Sequence, residues 1–179
     1  MENENTQETP VTTRSVGVRY GLIMGVIAIL YFVIMVVAGI DMSQGVGRWG
    51  SIIFYIALIV LAHKYFKENG NGYMSYGEGV GIVFWMALLS SVISSVFTYI
   101  YIKFIDSSFI EKLLETQEEA LMERGLSQEQ IDQALRMSSK FMTPEMMFVF
   151  GLIGGFIMIM IIGLLVNIFT KKPNPEMPV

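Results

Sequence analysis

The chain of 179 residues is 53% hydrophobic and 16% charged, against roughly 25% charged in an ordinary soluble domain, an excess that argues against a soluble protein. A formal charge of -4 without a basic block argues against nucleic acid as a partner, because phosphate neutralisation needs clustered Lys and Arg. Zero cysteines exclude disulfides, thiolate metal sites and Cys nucleophiles, and the single histidine, His63, excludes multi-His metal centres.

In chain order, residues 1–15 read as a disordered tail with an acidic start (Glu2, Glu4, Glu8). A single membrane domain is expected over 16–170. Its first span is the 21-residue uncharged run Tyr20 to Ile40, which at about 1.5 Å per residue crosses roughly 30 Å of hydrocarbon. The run is too long for the core of a signal peptide and ends on a poor cleavage motif, so it is expected to stay uncleaved. The second span, about 49–66, has only 14 uncharged residues, Trp49 to Ala62. Arg48 and Lys64 can lengthen it by snorkelling to the headgroups, and Tyr65 and Phe66 continue the apolar pattern. The third span has 24 uncharged residues, Gly79 to Ile102, and the fourth 25, Met146 to Thr170.

Helix starts carry capping signals. Ser75-Tyr76-Gly77-Glu78 is an S-x-x-E capping box, and Thr143-Pro144-Glu145 combines a capping hydroxyl, a first-turn proline and an acid at the positive end of the helix dipole. Lys171 and Lys172 followed by Pro173 and Pro175 end the fourth span, with a disordered tail expected over 171–179. Residues 103–145 hold 14 of the 28 charges, nine acids and five bases. They read as two amphipathic helices, one opened by an S-x-x-E box at Ser108 to Glu111 and one by an S-x-x-Q box at Ser127 to Gln130. Joined at Arg124-Gly125-Leu126, they make a helical hairpin over 107–142 outside the bilayer. The expected fold is all-α: an integral membrane four-helix bundle with an extramembrane helical hairpin between spans three and four.

Helices within lipid associate through close backbone approach and polar contacts rather than by hydrophobic burial. Gly17, Gly21 and Gly25 in span one, Gly77 and Gly81 at span three, and Gly151 and Gly155 in span four are spaced for such contacts, and Ser91 and Ser95 lie on a small-residue stripe of span three. These stripes pack one bundle, or else form a dimer interface or a polar pathway. His63 sits where span two leaves the membrane, either as an interfacial imidazole or as a proton relay with Glu78. Glu78 already serves the capping box, and with Tyr76 and His63 it forms the tentative polar site. The segment Gly77-Glu78-Gly79-Val80-Gly81 lacks the lysine and preceding strand of a phosphate loop. Asp41 and Asn167 are single polar residues near helix ends without evident partners. The 14 methionines form no compact cluster and read as packing rather than as copper ligands. No catalytic, cofactor-binding or metal residue is expected.

Three stretches together resemble a known family: His63-Lys64-Tyr65-Phe66-Lys67-Glu68-Asn69 leading into Gly72-Tyr73-Met74-Ser75-Tyr76-Gly77-Glu78-Gly79; Phe104-Ile105-Asp106-Ser107-Ser108-Phe109; and Gly125-Leu126-Ser127-Gln128-Glu129-Gln130-Ile131 with Phe141-Met142-Thr143-Pro144. In order and spacing the chain, from about Arg14 to Lys172, resembles the membrane proteins grouped as domain of unknown function 4199, found mainly in Bacteroidota. The resemblance implies a four-span inner-membrane protein of a Gram-negative cell and carries over no catalytic residue.

The functional expectation is a non-enzymatic inner-membrane protein, an accessory or scaffolding subunit; the alternative is a small transporter or channel subunit. Spans without internal charge or proline weigh against transport. Expected partners are membrane lipids, a protein at the acidic hairpin, or further copies of the chain. Near the span ends, Arg14, Arg19, Lys64, Lys67, Lys171 and Lys172 on one side outnumber Arg48, Lys103 and Lys140 on the other, so the termini are expected in the cytoplasm and the hairpin in the periplasm.

Overall fold

A computed structural model describes residues 11–40 and 45–175, without the side chains of Val46 and Arg48. Asp41, the acids of the N-terminal tail, the end of the C-terminal tail and the snorkelling of Arg48 lie outside the described residues. Within them the chain is all-helical: α1 (Thr13–Val37), α2 (Gly45–Glu68), α3 (Tyr76–Ile100), a π-helical turn (Tyr101–Ile105), α4 (Phe109–Glu123), α5 (Gln128–Phe141) and α6 (Pro144–Thr170). The segments Thr13–Val37, Trp49–Glu68, Tyr76–Ile105 and Pro144–Thr170 are each long and apolar enough to cross a membrane.

The helix boundaries extend beyond the uncharged runs. α1 starts at Thr13, ahead of Tyr20, because Thr12 and Ser15 form a reciprocal capping box. α2 begins at Gly45 and runs through His63 and Lys64 to Glu68, so charges near its end do not interrupt it. The boxes at Ser75 and Ser127 form as the spacing predicts, and the Thr143 hydroxyl accepts from the Met146 amide. The box expected at Ser108 does not form. Ser108 is itself helical and makes no side-chain cap. Its hydroxyl and amide both donate to the Asp106 carboxylate, at 2.6 and 3.1 Å, so an acid two residues upstream takes the group that the box requires.

The described residues form two compact units, one on either side of a division at residues 90 and 156, the first comprising 11–40, 45–90 and 156–175 and the second 91–155, and α3 and α6 contribute to both. In the first unit Val16 and Met24 of α1, Ile59 and Ala62 of α2, Ile82, Val83 and Met86 of α3, and Ile159 and Ile162 of α6 share one core with Met74. Lys172 adds a backbone pairing: its amide donates to the Met74 carbonyl and the Met74 amide donates to the Lys172 carbonyl, both at 2.8 Å. The start of the expected disordered tail is thus tied to the segment before α3. Large apolar side chains also cover the outside, Leu30, Ile34 and Ile53 among them, and most of the residues of α1 are not buried. Helices apolar all round, with this little of the surface buried, have lipid as their solvent.

In the second unit α3 meets α6 through small residues. A Cβ added to Gly151 would lie 3.0 Å from the Ser95 hydroxyl, and one on Gly155 would lie 3.4 Å from the Ser91 Cβ. Tyr99 and Phe148 stack edge to face beside them. α4 and α5 pack against each other, with the Gln117 amide donating to the Ser138 hydroxyl at 2.8 Å. The turn between them needs Gly125, whose φ of 75° lets its own amide reach the Met122 carbonyl and the Leu126 amide reach that of Leu121.

Candidate functional site

Few polar side chains are buried among the described residues: His63, Ser90, Ser91, Ser95 and Asn167. Two of them, His63 and Asn167, lie in the first unit where α2 and α6 end and α3 begins. His63 is fully buried. Its Nδ1 is 2.7 Å from the Thr170 hydroxyl oxygen and its Nε2 is 3.3 Å from the Gly79 carbonyl oxygen. The Thr170 hydroxyl lies 3.0 Å from the Val166 carbonyl oxygen of its own helix. One imidazole therefore ties α2 to both α3 and α6.

Proton counting constrains what this arrangement can do. A neutral imidazole and a hydroxyl supply two protons, and two suffice for the ring. With the proton on Nε2 the ring donates to the Gly79 carbonyl, and the Thr170 hydroxyl donates to Nδ1, while the Val166 carbonyl keeps its place in the α6 ladder. The neutral ring is thus fully paired, and no carboxylate is among its partners. Beside it the Lys67 ammonium donates to the Thr170 backbone carbonyl at 2.9 Å, one of the α6 carbonyls left without an intrahelical partner, and so complements the negative end of the helix dipole.

Asn167 has the partner that its isolation in the sequence did not reveal. Its Nδ2 donates to the Tyr76 carbonyl at 2.7 Å. Its Oδ1, buried and without a hydrogen-bond partner, sits against Gly79, where an added Cβ would overlap it. The α3–α6 crossing in this unit depends on the absence of a side chain at Gly79, and again at Gly163, where a Cβ would run into Val83.

Of the residues in the tentative polar site, the structure buries His63 and leaves the side chains of Tyr76 and Glu78 exposed. Glu78 accepts from the Ser75 amide and hydroxyl at 2.7 and 2.8 Å, so its carboxylate serves the cap and does not meet His63. Tyr76 contributes its backbone carbonyl, while its phenol reaches only 3.5 Å from the Leu164 carbonyl. Among the packing residues, a Cβ on Gly17 would come within 2.5 Å of the Trp85 Cβ, and one on Gly21 within 3.0 Å of the Met86 Cα; Gly25 is buried. Gly81 has ordinary clearance from Thr13, and Gly77 faces open space. Ser91 and Ser95 are buried in the second unit against Gly155 and Gly151.

The site also contains residues that the sequence reading passed over. Lys67 lies four residues after His63, on the same face of α2, which was a usable signal. Thr170 ends an apolar run, and nothing local distinguishes it. Among the described residues no group of three or more His, Cys, Asp or Glu side chains could hold a metal ion. No curated protein and no solved structure matches the chain. A family model described as Protein of unknown function (DUF4199) matches residues 19–172, and the chain belongs to that family.

Proposed function

We propose that the protein is a non-enzymatic, multi-pass protein of the bacterial inner membrane that serves as an accessory or scaffolding subunit. The observation that carries this reading is the chemistry of the interior. Among the described residues the buried polar side chains include no carboxylate and no ammonium group, and His63 and Asn167 are bonded from helix to helix. An interior of this kind favours fixed packing over catalysis or charge transfer.

The α4–α5 pair is the surface on which such a subunit would meet its partner. Residues 103–145 carry nine acids and five bases, and of the acids on the two helices all but the half-buried Glu118 are exposed. Exposed charge at this density fits a hairpin outside the bilayer that attracts a protein or basic ligand rather than anionic lipid. Replacing residues 108–140 with a flexible linker and purifying the protein in mild detergent should remove at least one co-purifying protein. Retention of them all would refute the scaffold reading.

A small transporter or channel subunit is the second reading, favoured by His63, the one ionisable side chain among the buried polar groups of the described residues. Its test is proton flux into vesicles carrying the protein and a trapped pH-sensitive dye. The scaffold reading expects the same flux as in empty vesicles. A flux abolished by His63→Gln in a variant that still folds would make the second reading the better one.

A further inference from the structure

One open groove of about 470 Å³ in the first unit is lined by Lys64, Lys67, Glu68, Gly70, Gly72 and Lys172. Its charge is unbalanced. Lys64 pairs with Glu68 at 3.7 Å, with both side chains more than half exposed. Lys67 donates to a neutral carbonyl, and Lys172 lies 5.3 Å from the centre of the Tyr73 ring. Among the described residues no carboxylate lies within ion-pair distance of Lys67 or Lys172. Three ammonium groups against one carboxylate leave the groove with a net charge of +2. Gly70 and Gly72 form part of its wall without side chains, and a Cβ added at Gly72 would meet nothing within 4 Å.

The depth of the groove identifies the kind of anion. Lys64 and Lys67 occupy the last turns of α2 directly after an apolar run, and Lys172 follows the apolar run of α6. Long amine stems at span ends carry their charge to the headgroup layer. Tyr65 and Tyr73 flank the lysines as interfacial aromatics do, and Arg19 donates to the Tyr65 hydroxyl at 3.0 Å. A phosphodiester in that layer would meet two uncompensated ammonium groups, with glycine backbone leaving room beside them.

We propose that the groove formed by Lys64, Lys67 and Lys172 is a binding site for the phosphate headgroup of an anionic glycerophospholipid. The site deepens the membrane reading given above and rests on the protein lying in a bilayer, but on neither its orientation nor a scaffolding role. The full chain is reconstituted in vesicles of phosphatidylcholine with a minor share of phosphatidylglycerol, re-extracted in mild detergent, and its retained lipids are counted by native mass spectrometry. The wild type should retain phosphatidylglycerol in preference to phosphatidylcholine. Lys64→Gln with Lys172→Gln, which leaves the Lys67 bond to α6 intact, should weaken that preference about fivefold for each lysine removed. Lys172→Arg should keep it, and Lys103→Gln with Lys140→Gln should not change it. Equal retention by the wild type and the double variant overturns the site. Binding of inorganic phosphate without any lipid preference overturns the lipid assignment in favour of a soluble anion. Failure to float with pure phosphatidylcholine vesicles would instead refute the membrane reading, so the two failures are distinct.

Discussion

At the residue scale, the α3–α6 crossing in the first unit depends on one hydrogen atom. A methyl group at Gly79 would land on the Asn167 carboxamide, and Asn167 is held in place by its bond to the Tyr76 carbonyl. Gly79→Ala should therefore destabilise the protein by about 1–3 kcal/mol, the usual cost of overpacking. Gly77→Ala, two residues earlier, meets open space and should be neutral or stabilise by up to about 1 kcal/mol through helix propensity. Thermal denaturation of the two variants in the same detergent checks the opposite signs. The same segment illustrates what glycine spacing conveys. Gly77 and Gly81 share one helical face and fit the four-residue motif, whereas Gly79 lies on another. Spacing identifies glycines that could share a face, but the face that meets a neighbouring helix is decided by that helix. His63 was legible as a polar residue at a span end. Its partners were not, because Thr170 and the Gly79 carbonyl reach it only after folding.

At the scale of elements, charge near a helix end misleads the eye more than it disturbs the helix. The second span offers 14 uncharged residues, yet α2 continues past His63, whose ring is satisfied by neighbouring helices, and past Lys64, which remains exposed. Capping patterns are equally local in what they reveal. Ser75 and Ser108 both open S-x-x-E sequences, and only Ser75 caps, because Asp106 competes for Ser108. The start of α4 consequently has its own pH dependence. The Ser108 hydrogen bonds and then the Lys112 ammonium at 3.0 Å hold the Asp106 carboxyl below its ordinary value of 3.8, and Asp106 in turn raises Lys112 above 10.5. A lowered carboxyl contributes stability that is present above its ordinary value and lost as pH falls through the folded one; the raised lysine contributes below 10.5 and is lost as pH rises through its folded value. Protection of the first-turn amides of α4, taken relative to the intrinsic exchange rate at each pH, should thus hold through the neutral range and fall below about pH 4. Asp106→Asn should remove the acid step, and an unchanged acid step in that variant would disprove the assignment.

At the scale of the whole molecule, the sequence already contained its solvent. Four apolar runs separated by charged stretches become four helices that expose most of their apolar surface, Val37 and Phe169 being 82% and 87% exposed, and water would not tolerate that surface. Which way the chain crosses the bilayer follows from where its cations lie. The contacts of Arg19 with Tyr65, Lys67 with Thr170 and Lys172 with Met74 gather the cations at the start of α1 and at the ends of α2 and α6 at one end of the first unit. Cations close to span ends resist translocation, so this end should stay in the cytoplasm and the turn at Gly125 should reach the periplasm. The counter-argument is that Lys112, Arg124 and Arg136, further from the span ends, make the two sides equal in total. Those three are accompanied by the acids of α4 and α5 and are exposed on amphipathic helices, which lowers their retention in the cytoplasm relative to a lysine beside an apolar run. Alkaline phosphatase, which is active only in the periplasm, should accordingly be active when fused at Gly125 and inactive when fused after Val179. The reverse pattern would invert the protein in the membrane.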